Sequence, residues 1–409
     1  MTPSAIQPLL RDLRVLELGH YIAAPFATRV MADLGADVVK VEPPDGGDPV
    51  RKWGHQEGDG SLWWSVHGRN KRCVTLEMQS PEAKDIVLAL AAQCDVVVEN
   101  YKPGQLEKWG LTAAAFEQAR PGLVMVRISG YGQTGPQSGQ AGFGVIGEAK
   151  GGLRHLSGYP PEISSLPPVR VGVSVGDSIA GLYGAIGALA AVIDQRASGR
   201  REIRTVDVAL GEAVLTFMEG MLPDYGYLGT IRQPTGSRIT TAAPSNAYKS
   251  RDGAWILIAG NSDRLFVKLA NVIGKPDLAV DPRFIDNPSR LANVDVLDGL
   301  IADWCATVIA DEAIELLDGE NIPASKIYTA ADIIADEQYQ ARKMVTTVAD
   351  PQHGDLLHPG VVPVVEGLDR DAQIRWPGPS VGQHNENVYC GLLGWPDTKV
   401  ADLKARGII

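Results

Sequence analysis

The sequence predicts an α/β fold, with a largely parallel sheet covered by helices on both faces and a smaller α+β domain inserted before the chain returns to the large one. Three observations carry this. Through the first half of the chain, apolar β-branched runs alternate with amphipathic helical stretches. Beyond Gly199 that alternation stops, and helices dominate after a single hairpin. The length of 409 residues and the 44% hydrophobic content suffice for a large core and two or three domains.

In order, residues 13–18 read as a strand, 25–34 as a helix closed by Gly35, and 37–41 as a second strand, which makes a βαβ unit. A strand at 73–76 follows, then a helix started by Ser80 with Pro81 in its first turn. Strands at 95–98 and 123–128 flank a helix at 112–119. The apolar run 179–193 is studded with glycine, falls short of the roughly 20 residues of a spanning helix, and reads as a buried one. A strand at 203–208 leads into a helical stretch through Met221, and the Gly-, Pro- and Thr-rich residues 226–244 read as a linker. Residues 246–248 and 254–258, joined through Asp252-Gly253, read as a hairpin. Helices follow at 262–273, 294–308 and 311–318; short strands and Pro/Gly turns return after Glu337, and a helix near 386–393 ends the pattern. The expected boundaries are 1–204 for the first part of the large domain, 228–328 for the small domain and 346–409 for the return, with linkers at 205–227 and 329–345.

The net charge of -11 argues against nucleic acid and anionic membrane as partners, since both select basic faces. Cys73, Cys94, Cys305 and Cys390 are scattered without metal-ligand spacing, so no metal site or disulfide framework is expected. Reduced thiols in a cytoplasm fit this, as does a first stretch lacking the pattern of a secretory signal.

Asp177 is the most informative residue. It stands where an extended run meets a long small-residue helix, and Gly176 before it permits a tight turn. Free amides at a helix start favour an anion, so the carboxylate has two readings, helix cap and nucleophile. Gly130-Tyr131-Gly132-Gln133-Thr134-Gly135 is a literal GxGxxG, yet Pro136 follows, its strand is a late one, and His155 stands where an acidic residue belongs. No dinucleotide site is expected there. Arg69-Asn70-Lys71-Arg72 is the densest basic cluster and reads as solvated surface or as part of an anion site. Asn100, Tyr101 and Lys102 offer an amide, an aromatic face and a cation, a set suited to a phosphorylated nucleotide. Gly181, Gly184 and Gly187 form a bare helical stripe for close packing, and His20 at a strand end is an acid/base or a structural histidine.

Taken in order, Leu16-Glu17-Leu18-Gly19-His20, residues 33–44, Asn70-Lys71-Arg72, residues 98–104, residues 129–136 and Gly176-Asp177-Ser178 resemble the class III CoA-transferases, the family of formyl-CoA transferase and the carnitine CoA-transferases. The likeness runs over nearly the whole length. It implies that Asp177 is the nucleophile. The aspartate would attack a donor acyl-CoA to give a mixed anhydride, and the freed CoA thiolate would return to give an aspartyl-CoA thioester that the acceptor acid attacks. It implies no tightly bound cofactor, with acyl-CoA and a free carboxylic acid as substrates. CoA contacts would fall on Tyr21, Leu76, Asn100, Tyr101, Lys108 and Trp109, whereas Pro43 and Gln79 replace basic residues of formyl-CoA transferase. The active-site loop maps to 259–263, with Gly260 and Asn261, and only Gly260 keeps the loop's glycine core. Ile22 replaces a glutamine, which weakens oxalate as a substrate.

The fold implied is a Rossmann-like large domain made by both termini, a smaller inserted domain, and an interlocked, ring-shaped homodimer. An α-methylacyl-CoA racemase would need a histidine in a Gly-His-Asp motif, and Gly142-Phe143-Gly144 stands there. A non-catalytic acyl-CoA-binding protein would leave Asp177 as a cap. Relatives that use dicarboxylates such as succinate point to a diacid acceptor. Arg238, in a polar Pro/Gly segment beside Arg232, reads as its distal clamp or as a solvent-facing linker residue.

Overall fold

The computed structural model describes residues 7–57 and 60–409. The chain forms two compact units: Met1–Arg154, Arg170–Ile231 and Gln338–Ile409 make the first, His155–Val169 and Arg232–Glu337 the second.

The first unit holds a six-stranded sheet in the order Lys71–Thr75, Asp37–Glu42, Arg14–Glu17, Val96–Glu99, Val124–Ser129, Arg204–Ala209, with every pairing parallel. Parallel pairing needs crossovers, and the helices that supply them cover both faces. Alternate residues of each strand therefore serve opposite cores. Leu16, Val39, Val97 and Met125 join one apolar cluster, and Val15, Val38, Val96 and Val124 the other. The order reverses between Arg14–Glu17 and Val96–Glu99, which opens a crevice at the carboxyl ends of those two strands.

The helix expected at 179–193 extends over Val175–Ser198, 24 residues. By length and composition it could cross a membrane, but it packs on the helix Ala23–Asp33 and on the last two strands of the sheet. Its glycine stripe makes that approach possible. A Cβ on Gly181 would lie 2.7 Å from the Ala23 carbonyl oxygen, and one on Gly187 would lie 2.5 Å from Val206 Cγ1.

Several expectations change. The helix after Ser80 is Ala83–Ala91, with Glu82 at its cap position, and Ser80 only accepts the Ala83 amide at its carbonyl. The start of the expected linker is helical, Met221–Leu228. A further helix, Asp397–Ala405, follows the π-helical turn Glu386–Leu392. The basic cluster is neither solvated nor open to a ligand: Arg69 and Lys71 are fully buried on Asp33 and Glu17, and Arg72 pairs with Asp37.

In the second unit, Trp255–Ala259 lies between antiparallel Ser245–Lys249 and Ala324–Lys326. The helices Asp263–Val272, Val294–Cys305 and Ala310–Gly319 close its core around Ile256, Phe266 and Ile301.

Candidate active site

The crevice at the strand reversal becomes a cavity of about 220 Å³, lined by His20, Tyr21, Asn100, Tyr101, Phe143 and Asp177 among others. Asn100 ties its two walls together. Its side-chain amide donates to the His20 carbonyl at 2.8 Å, and its oxygen accepts the His20 amide at 2.9 Å. The first strand-to-helix turn is set by Tyr21 at φ 64°, a left-handed conformation that costs about 1 kcal/mol or more in a residue with a side chain. Its amide donates to Asp48 Oδ1 at 3.1 Å. The Tyr101 hydroxyl and His20 Nε2 share a hydrogen bond of 3.1 Å, and Trp109 stands edge-on to Tyr101 with 5.1 Å between ring centres.

Beneath this wall lies a compensated charge network. Lys40, fully buried, reaches Glu17 Oε1 and Asp48 Oδ2 at 2.7 Å each, and Lys71 meets Glu17 Oε2 at 2.8 Å. Burial alone would raise the Asp48 and Glu17 carboxyls. The lysine charges, with His20 beside Asp48, more than reverse this and hold both below the usual carboxylate range.

Asp177 sits opposite, in the first turn of Val175–Ser198. The cap position belongs to Ser174, whose side chain makes no capping bond, so the capping reading of Asp177 fails. The segment Gly144–Lys150 packs against it so closely that a Cβ on Gly144 would lie 2.0 Å from Asp177 Oδ2. One turn further on, Glu148 is 1% exposed; its Oε2 accepts Arg154 Nε at 2.8 Å, and its Oε1 has no hydrogen-bond partner among the described residues. Burial first, then the Glu148 charge, push the Asp177 carboxyl up to about 6, with Arg170 pulling the other way. Glu148 was missed in the sequence. The signal was its spacing of four from Gly144, which puts both on one helix face.

The structure thus brings Tyr21, Asn100, Tyr101 and Asp177 to one cavity and sets Trp109 behind Tyr101. Leu76 is fully buried in the core, its amide given to Glu42. Lys108 is exposed at the end of the short helix Gln105–Lys108 and does not line the cavity. Gly260 and Asn261 lie in the second unit, in the turn before Asp263–Val272, where the Asn261 carbonyl accepts Arg290 at 3.1 Å. Arg238, also in the second unit, is held by Asp298 at 2.6 Å and Asp295 at 2.7 Å beside a separate cavity of about 440 Å³. It is therefore not the free linker arginine of the sequence reading. The GxGxxG opens no helix, and Gly130 packs on Gly142 instead.

A solved structure of a CaiB/BaiF family protein from Brucella suis superposes with a TM-score of 0.82 at 30% identity, covering 95% of this chain and 100% of that one. The chain belongs to CoA-transferase family III, whose model matches residues 10–385, and it is a CoA-transferase. Succinyl-CoA–D-citramalate CoA-transferase of Chloroflexus aurantiacus is 42% identical over 98% of both chains. The beta subunit of succinyl-CoA–L-malate CoA-transferase from the same organism is 36% identical over 98% of both.

Proposed function

We propose that this enzyme moves CoA from an acyl-CoA donor, succinyl-CoA in the first instance, to a dicarboxylic acid, with Asp177 as the covalent attachment point. The observation that carries the reading is the carboxylate itself, in the first turn of a long helix whose cap position is Ser174, lining the cavity and pushed up to about 6 by burial and then by the Glu148 charge. Asp177 attacks the thioester carbon and the C–S bond breaks, so that the electron pair leaves on the CoA sulfur. The thiolate attacks the Asp177 carbonyl of the mixed anhydride and releases the donor acid as a carboxylate. The acceptor then repeats these steps in reverse, and thioester energy is kept without ATP. Amides at the helix start favour the oxyanions.

The diacid rests on the two relatives, a succinyl-CoA–D-citramalate and a succinyl-CoA–L-malate CoA-transferase. Tyr21, Asn100, Tyr101, Trp109 and Lys108 are proposed to hold CoA, with Lys108 meeting a phosphate as a point charge. Arg238 is not retained as the distal clamp, because both its aspartate partners compete for the fork. The enzyme is proposed to act in the cytoplasm as a homodimer. Two-base racemisation is disfavoured, because Gly144 leaves no room beside Asp177 for the last residue of a Gly-His-Asp motif.

A panel of mono- and dicarboxylic acids assayed with succinyl-CoA tests the acceptor. Preference for a diacid is expected; a monocarboxylic acid favoured tenfold or more, about 1.4 kcal/mol in the transition state, refutes it.

A further inference from the structure

We infer that Glu148 is a positioning residue for the transfer reaction, a buried negative charge fixed beside Asp177 that favours its acylated state over its free carboxylate. The inference rests on Asp177 being the nucleophile. Three observations support it independently of any titration. Glu148 is 1% exposed, yet its Oε1 finds no hydrogen bond among the described residues. An unsatisfied buried carboxylate oxygen is costly, and a core of this size offers donors enough to avoid one. The single cation on it, Arg154, is bonded to the other oxygen. Third, Glu148 faces the nucleophile: its Cγ would lie 3.1 Å from a Cβ on Gly176, the residue before Asp177, while Gly144 on the same helix face touches Asp177 directly.

The consequence follows from where charge goes. Free Asp177 is an anion next to an anion in a poorly solvated corner. In the anhydride that charge has moved to the CoA sulfur, and in the aspartyl-CoA thioester it has left with the donor acid. Each covalent state is neutral at Asp177 and relieves the repulsion from Glu148, so the same charge that makes the carboxylate more basic favours both intermediates. The other titratable and charged groups facing Asp177 are Arg170 from the preceding segment and His20, Tyr21, Tyr101 and Lys102 across the cavity; Glu212, on the neighbouring helix Leu210–Leu215, is exposed and does not line the cavity. Of these, only Arg170 opposes Glu148 in setting the carboxyl.

The pH dependence of kcat/KM for acyl-CoA reads this. In the unmodified enzyme the acid limb should lie near 6; a limb at the ordinary aspartate value overturns the inference without any variant. Glu148→Gln keeps the shape and an acceptor for Arg154, and should lower the limb by about one pH unit. It should also cut the kcat plateau several-fold while KM for acyl-CoA holds. Glu148→Asp withdraws the charge by one methylene and should move the limb less. The control Glu212→Gln should leave it in place. A folded Glu148→Gln or Glu148→Asp enzyme with an unmoved limb, or a loss confined to KM, overturns the role. Borohydride trapping in the absence of acceptor separates the two layers. Label on another residue refutes the nucleophile; label on Asp177 at undiminished yield in Glu148→Gln refutes only Glu148.

Discussion

Two groups of carboxylates lie near the cavity, Glu17 with Asp48 and Asp177 with Glu148, and the chain treats them in opposite ways. Glu17 and Asp48 each meet lysine nitrogen at 2.7–2.8 Å, and their charges are held on. Asp177 and Glu148 share a corner in which, among the described residues, one guanidinium serves one oxygen of Glu148 and none is bonded to Asp177. Burial raises a carboxyl in both places. The charges around them differ, cations on one side and a second carboxylate on the other, and that difference separates the carboxylates that hold the fold from the one proposed as the nucleophile.

The largest expected effect on the reactive side is Asp177→Ala. It should cut transfer by about a thousandfold or more, in the range lost with a covalent nucleophile, while circular dichroism and CoA binding persist. More than a few per cent of residual rate would place the nucleophile elsewhere. On the compensated side, Lys40→Met takes the lysine from Asp48 and one of the two lysines from Glu17, and should cost about 3–5 kcal/mol in urea unfolding. A cost under about 1 kcal/mol would mean that the network is solvated and that the contrast is false.

A smaller effect sharpens the contrast through pH. Because the Asp177 carboxyl is raised from 3.8 to about 6, the folded chain keeps a proton that the unfolded chain has already released between those values. Stability tied to this group is therefore present below about pH 4 and lost as pH rises through 6. Asp177→Asn removes that loss and should stabilise the protein by about 1–2 kcal/mol at pH 8, with no gain at pH 4. Equal gains at both pH values would show a packing effect instead. Smallest of all, Lys108→Ala should raise KM for acyl-CoA several-fold with kcat unchanged, the mark of a contact made equally in ground and transition states. An unchanged KM would leave Lys108 an ordinary surface lysine.

Much of this fold was legible in the sequence, because strands buried on both faces advertise themselves. The run Val96-Val97-Val98 has no other reading, and the strand expected at 203–208 is Arg204–Ala209. Boundaries failed where a local signal competed with packing: Ser80 and Pro81 resemble a helix start, yet the chain turns first and the helix begins at Ala83. The site was half legible. Asp177 stood out because it sits at a helix start after glycine, and Asn100 and Tyr101 because they follow a strand. The basic cluster misled, since sequence cannot say that Asp33 and Glu17, 36 and more residues away, will claim Arg69 and Lys71. Glu148 was signalled only by its spacing of four from Gly144, which did not single it out, because a lone glutamate in a helix is ordinarily solvated and its burial depends on three-dimensional packing.

The contact of Gly144 with Asp177 also limits where this chain can go by mutation. Any side chain at 144 would need space that the Asp177 carboxylate already occupies. Phe143, exposed at the rim of the cavity, carries no such constraint. A descendant that acquires a larger residue at 144 must first move the head of a 24-residue helix packed in the core. The absence of a Cβ at one glycine thus fixes how the carboxylate end of that helix can be rebuilt.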